Sequence, residues 1–139
     1  MNKVMGLDLG SKTLGIALSD LLGMFAHGLE TFRFEENKYA QALKRVIEIV
    51  KQENIKIIVL GLPKHMNGDI GERANISIEF KKDIENALND IEVILVDERL
   101  TTKIMNQQMI FADVSRKKRK QIIDKMAAVA ILQGYLDSK

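Results

Sequence analysis

Two apolar runs separated by only four residues constrain this chain most. Val4 to Leu9 and Leu14 to Ser19 flank the turn Gly10-Ser11-Lys12-Thr13. A connection that short leaves room only for an antiparallel hairpin, because a parallel pair needs a crossover of a dozen residues or more. The spacing predicts a third strand over 28–34. The hydrophobic period then changes. Tyr39, Leu43, Val46, Ile47 and Val50 recur at helical spacing, with Asn37 as the expected N-cap. Ile55 to Leu60 is a continuous apolar run, as expected of a strand covered on both faces.

Lys64 to Asn75 carries Asn67-Gly68, Asp69 and Gly71, which predict a loop. Ile76, Phe80, Ile84 and Leu88 mark a second helix, and Glu92 to Val96 a further strand. Thr101 or Thr102 can cap a helix bearing Ile104, Met105 and Met109. Ser115 can cap the last helix, whose apolar face is read as Ile122, Ile123, Met126, Ala130 and Leu136. Hairpin strands followed by alternating helices and strands predict an α/β protein. The expected sheet is mixed and five-stranded, its first three strands antiparallel and the rest parallel, with helices on both faces.

With 139 residues, 46% of them apolar, one domain over 1–139 is expected, and no linker or repeat divides it. Cysteine is absent, so thiolate metal sites and disulfides are excluded. Met1 to Val4 leads straight into a strand, and no apolar run reaches the length of a bilayer span. The expectation is a cytoplasmic protein with no membrane partner.

Any hard-metal chemistry must then come from oxygen ligands, and three acids stand out. Asp8 lies between Leu7 and Leu9 inside the first strand. A carboxylate among core residues needs a cation, a metal or hydrogen bonds, since an unpaired buried charge is very costly. A turn-forming role toward Gly10 and Ser11 is the plain alternative. Asp97 and Glu98 follow the apolar run Val93 to Val96, at a strand's carboxyl end where sites collect in open sheets. The plain alternative there is a helix-entry acid paired with Arg99. Asp124 shares a helical side with Ala127, Ala128 and Ile131, with pairing to Lys120 as its alternative. Converging carboxylates suit Mg²⁺ or Mn²⁺. Two such ions about 4 Å apart can activate water for phosphodiester cleavage.

Arg116, Lys117, Lys118, Arg119 and Lys120 form a run of five cations in a chain whose net charge is only +2. Cations at a helix start oppose the macrodipole, which favours an external anion such as a phosphate backbone. Aromatics make up only 5%, so backbone recognition is favoured over base stacking. His27 is read as structural or solvent-facing, and His65 as a loop residue. Lys64, Gly68 and Arg73 belong to the expected substrate loop, and the methionines read as packing.

Taken in order, the motifs resemble the YqgF family. Gly6-Leu7-Asp8-Leu9-Gly10 with Gly15-Ile16-Ala17-Leu18-Ser19-Asp20 is similar to its opening signature. Gly61-Leu62-Pro63, Asn67-Gly68 with Gly71, Asp97-Glu98-Arg99-Leu100-Thr101-Thr102 and Asp124-Lys125-Met126-Ala127-Ala128 follow. Asn67 stands where the family often has aspartate. The resemblance implies a ribonuclease H-like fold and a metal-dependent endonuclease. Asp8, Glu98 and Asp124 would be the catalytic metal ligands, with Asp97 as the alternative to Glu98 and Mg²⁺ or Mn²⁺, as two ions, the cofactor. Substrates implied are the 5′ end of the small-subunit ribosomal RNA precursor and the Holliday junction. Lys12, Lys64, Arg73, Arg99 and Arg116 to Lys120 are the expected nucleic-acid contacts, and Gly6, Gly10 and Gly15 the expected turn glycines. A monomer or homodimer is expected. Two other functions stay open: a non-cutting nucleic-acid-binding module in transcription or ribosome assembly, and an ATPase-like nucleotide-binding domain.

Overall fold

The computed structural model describes residues 2–63, 71–98, 107 and 109–139, with only the backbone described at 120, 121 and 123–125. Five strands, β1 (Val4–Leu9), β2 (Thr13–Ser19), β3 (Ala26–Arg33), β4 (Ile57–Leu62) and β5 (Glu92–Asp97), form one sheet in the order β3-β2-β1-β4-β5. β1 pairs antiparallel with β2, and β2 with β3; β4 pairs parallel with β1 and with β5. The mixed sheet is the one expected.

Side-chain alternation splits the core in two. Met5, Leu7 and Leu9 of β1 join Ile58 and Leu60 of β4 on one face. Helices α1 (Tyr39–Glu53) and α2 (Glu72–Ala87) cover that face with Ala42, Val46, Ile49, Phe80 and Ile84. On the other face Val4, Ala17 and Val59 pack against Ala128, Ile131, Leu132 and Leu136 of the last helix, α3 (Arg116–Asp137). The sheet is therefore helix-covered on both sides. Among the described residues, no helix is long and apolar enough to cross a membrane.

Ser115 caps α3 as expected, its hydroxyl accepting from the Lys118 N–H at 3.3 Å. Asn37 does not cap α1. It takes a left-handed conformation (φ 61°), its N–H bonds to the Ser11 carbonyl at 2.8 Å, and Lys38 holds the cap position. The buried stripe of α3 is set by Ala128, Ile131, Leu132 and Leu136, whereas Met126 is 42% exposed. The small-residue side, not the Met126 side, faces the sheet.

Gly6 and Gly15 are not turn residues. They lie in β1 and β2, where they let α3 approach: a methyl at Gly6 would sit 2.6 Å from Leu132 Cβ and 2.9 Å from the Ala128 carbonyl. Gly10 is in the turn, and its N–H bonds to the Thr13 carbonyl at 2.7 Å.

Candidate active site

β1 is buried at every position except Asp8, which is half-buried. Alternation sends Val4, Gly6 and Asp8 to the α3 face. Gly15 lies opposite Asp8 in the hairpin register, and a side chain there would touch both Asp8 and Ala128. The strand thus presents one carboxylate beside a low ridge of glycine and alanine.

The same parity operates at β5. Val93 and Leu95 face α1 and α2, and Val96 faces α3. Glu98, two residues beyond Val96, falls on the α3 side, over Gly61 of the neighbouring strand. Asp97 falls on the opposite parity, in register with Leu62. Asp8 and Glu98 meet and share a hydrogen bond. Burial, and then the charge and hydrogen bond of Asp8, push the Glu98 carboxyl up to about 8; Arg73 opposes the rise and Asp97 adds to it. Two carboxylates forced together cannot both ionise without a compensating cation.

Asp124 belongs to α3, four residues before Ala128; its side chain lies outside the described part. Among the described residues no third acid or histidine joins the pair as a metal cluster. The donor set present, carboxylate oxygens with a proton retained on Glu98, fits a hard divalent cation taking that proton's place.

Arg73 was expected in a loop. It lies instead in the first turn of α2, where its guanidinium donates to the Leu9 carbonyl and to the Tyr39 hydroxyl, both at 3.0 Å. Tyr39, read from its spacing as a core residue of α1, therefore has a polar role as well. Spacing carried no signal for it, because the contact joins three separate elements. Lys12 is exposed on the hairpin turn. Arg116, Lys117 and Lys118 are exposed at the start of α3. Arg119 leaves that row: it is partly buried and donates to the Val114 carbonyl at 3.2 Å. Lys64, His65, Asn67, Gly68, Arg99, Thr101, Thr102, Ile104 and Met105 lie outside the described residues, as does the Lys120 side chain. His27 is exposed on β3.

The family model described as RuvX: Holliday junction resolvase matches residues 2–138. A relative from Staphylococcus saprophyticus, named "Putative pre-16S rRNA nuclease", is 50% identical over 99% of this chain and 96% of its own length. A relative of the same name from Staphylococcus aureus strain N315 is 48% identical with the same coverage. Among solved structures, Thermus thermophilus RuvC in complex with a Holliday junction substrate superposes with a TM-score of 0.63 at 12% identity, over 99% of this chain and 95% of that one. The Fowlpox virus resolvase with Holliday junction DNA gives 0.52 at 15% identity, over 98% and 97%. These likenesses show the ribonuclease H-like fold.

Proposed function

The chain belongs to the RuvX family, and from that premise we propose that it is a metal-dependent endonuclease of structured nucleic acid. Its preferred substrate is the small-subunit ribosomal RNA precursor, cut in maturation of the 5′ end. The relatives that share half of this sequence carry that nuclease name, whereas the solved junction resolvases share only its fold. The substrate places the enzyme in the cytoplasm, with residues 1–139 as one catalytic domain.

The observation that carries the proposal is the convergence of Asp8 and Glu98 at one point from distant parts of the chain. A pure binding module gains nothing from paired carboxylates facing phosphates. Asp8, Glu98 and Asp124 would hold Mg²⁺ or Mn²⁺, which when bound supplies the positive charge that activates water and stabilises the leaving oxygen. Glu98 gives up its proton so that both carboxylates are available as ligands. Gly61 leaves the space in which Glu98 lies. Lys12, Arg116, Lys117 and Lys118 face solvent and grip backbone phosphates. Lys64 and Arg99 are assigned the same task on sequence alone.

The experiment incubates wild-type protein and Asp124→Asn with Mn²⁺ on two substrates, a ribosomal RNA precursor fragment and a four-way DNA junction. The expected result is cleavage of the RNA by the wild type, abolished by EDTA and in the variant. No cleavage of either substrate by the wild type contradicts the proposal, and preferential cutting of the junction replaces the RNA assignment.

A further inference from the structure

Arg73 is held by groups from two other elements. The Leu9 carbonyl belongs to the residue after Asp8, at the end of β1, and the Tyr39 hydroxyl stands at the start of α1. The hydroxyl's polarity is fixed. Tyr39 donates its proton to Asn37 Oδ1 at 3.1 Å, so its lone pairs are free to accept from Arg73. Asn37 in turn is tied through its N–H to Ser11 in the hairpin turn. The Tyr39 ring is wedged edge-on against Phe34, centroids 6.0 Å apart. A guanidinium so fixed has lost its rotamer freedom before any ligand arrives, and two anchoring bonds do not exhaust its five N–H donors. An arginine serving only as a flexible clamp on flanking backbone has no use for such anchoring.

Resting on the nuclease reading above, we infer that Arg73 is a catalytic residue that contacts the phosphate undergoing cleavage, and that Tyr39 is its positioning residue. The guanidinium is bonded to the carbonyl of the residue that follows Asp8, which sets it at the end of β1 beside that carboxylate. A phosphate brought to Asp8 and Glu98 therefore arrives beside a preset fork of donors. Such a fork stabilises the negative charge that builds on the non-bridging oxygens as the bond breaks. Tyr39 keeps the fork aimed and touches no substrate.

The test uses the full chain with Mn²⁺ and a ribosomal RNA precursor fragment, with the four-way DNA junction in parallel. Single-turnover rates at saturating protein are read for Tyr39→Phe, Arg73→Gln, Arg73→Lys and the double variant Tyr39→Phe/Arg73→Gln. Substrate affinity in EDTA and thermal unfolding are read beside them. Arg73→Gln is expected to slow cleavage roughly 100-fold, and Tyr39→Phe roughly 10-fold. Affinity should stay within about twofold, because the contact strengthens only as the reaction proceeds. Lysine should not rescue, since a point charge cannot keep both anchors and reach the phosphate. The double variant should be no slower than Arg73→Gln alone, because Tyr39 acts only through Arg73.

Wild-type rates in Tyr39→Phe, or effects that multiply in the double variant, overturn the positioning role. Loss of affinity with an unchanged rate at saturation makes Arg73 a flanking clamp and overturns the catalytic one. Failure of the wild type to cut either substrate removes the nuclease reading and this inference with it; cutting with the variants unaffected removes this inference alone.

Discussion

Glu98 lies across Gly61: a methyl group at position 61 would stand 2.8 Å from the Glu98 carboxyl carbon and 2.6 Å from Ile131 Cδ1. A glycine at the end of a buried strand thus provides the floor on which the second carboxylate rests. Gly61→Ala is expected to push Glu98 away from Asp8 and to strain the Ile131 contact. Overpacking of this kind costs about 1–3 kcal/mol, so the protein should still fold. Cleavage should fall by far more than stability does, read as rate beside urea-unfolding midpoint.

The acid pair makes the metal-free protein sensitive to alkali. Glu98 is pushed up to about 8 from an ordinary 4.5, so between those values the folded state holds a proton that the unfolded chain releases. Stability is therefore fully kept below the lower value and falls as pH rises through the upper one. Melting temperature in EDTA should drop between pH 5 and pH 8.5 by more than in Glu98→Gln, which has no such proton to lose. Mn²⁺ should raise the melting temperature more at pH 8 than at pH 6, because binding displaces that proton.

Gly6 governs how closely α3 sits on the sheet. Gly6→Ala meets backbone as well as the Leu132 side chain, so relief requires the helix itself to move. The expected loss is roughly 2–3 kcal/mol, and cleavage should fall with it, because the same helix carries Asp124. A variant of wild-type stability would show that the helix is free to shift.

Removing the exposed cations should weaken binding without touching chemistry. Arg116 stands eight residues before Asp124, about 12 Å along the helix, a suitable reach for phosphates flanking the cut. Replacing Arg116, Lys117 and Lys118 by serine should reduce the slope of log affinity against log salt by about 2–3, with the rate at saturation unchanged. Arg119→Ser should act differently: its guanidinium is bonded to the Val114 carbonyl, so melting temperature should fall and the salt slope should not.

The hairpin, the helix-strand alternation and the mixed sheet were legible in the sequence because each is a local pattern of period or turn length. Asp8 was legible as an acid in a buried strand, and Ser115 as a helix cap. That Glu98, and not Asp97, shares a face of the sheet with Asp8 follows from the register of β5 on β4, a long-range property that one residue of slip reverses. Gly6 and Gly15 were misread as turn glycines because a glycine's composition signal is the same whether it bends the chain or admits a neighbouring helix. The bond from Arg73 to Tyr39 joins two helices at their starts, and no sequence periodicity encodes it.

The most direct measurement compares wild-type protein with Asp8→Asn on a ribosomal RNA precursor fragment in Mn²⁺, with substrate affinity and melting temperature recorded beside the rate. If Asp8 holds the metal as proposed, its loss should slow cleavage by about 1,000-fold or more, with the substrate bound as tightly and the fold intact. Cleavage by Asp8→Asn at the wild-type rate, in protein free of contaminating nuclease, would contradict an acid-centred mechanism outright.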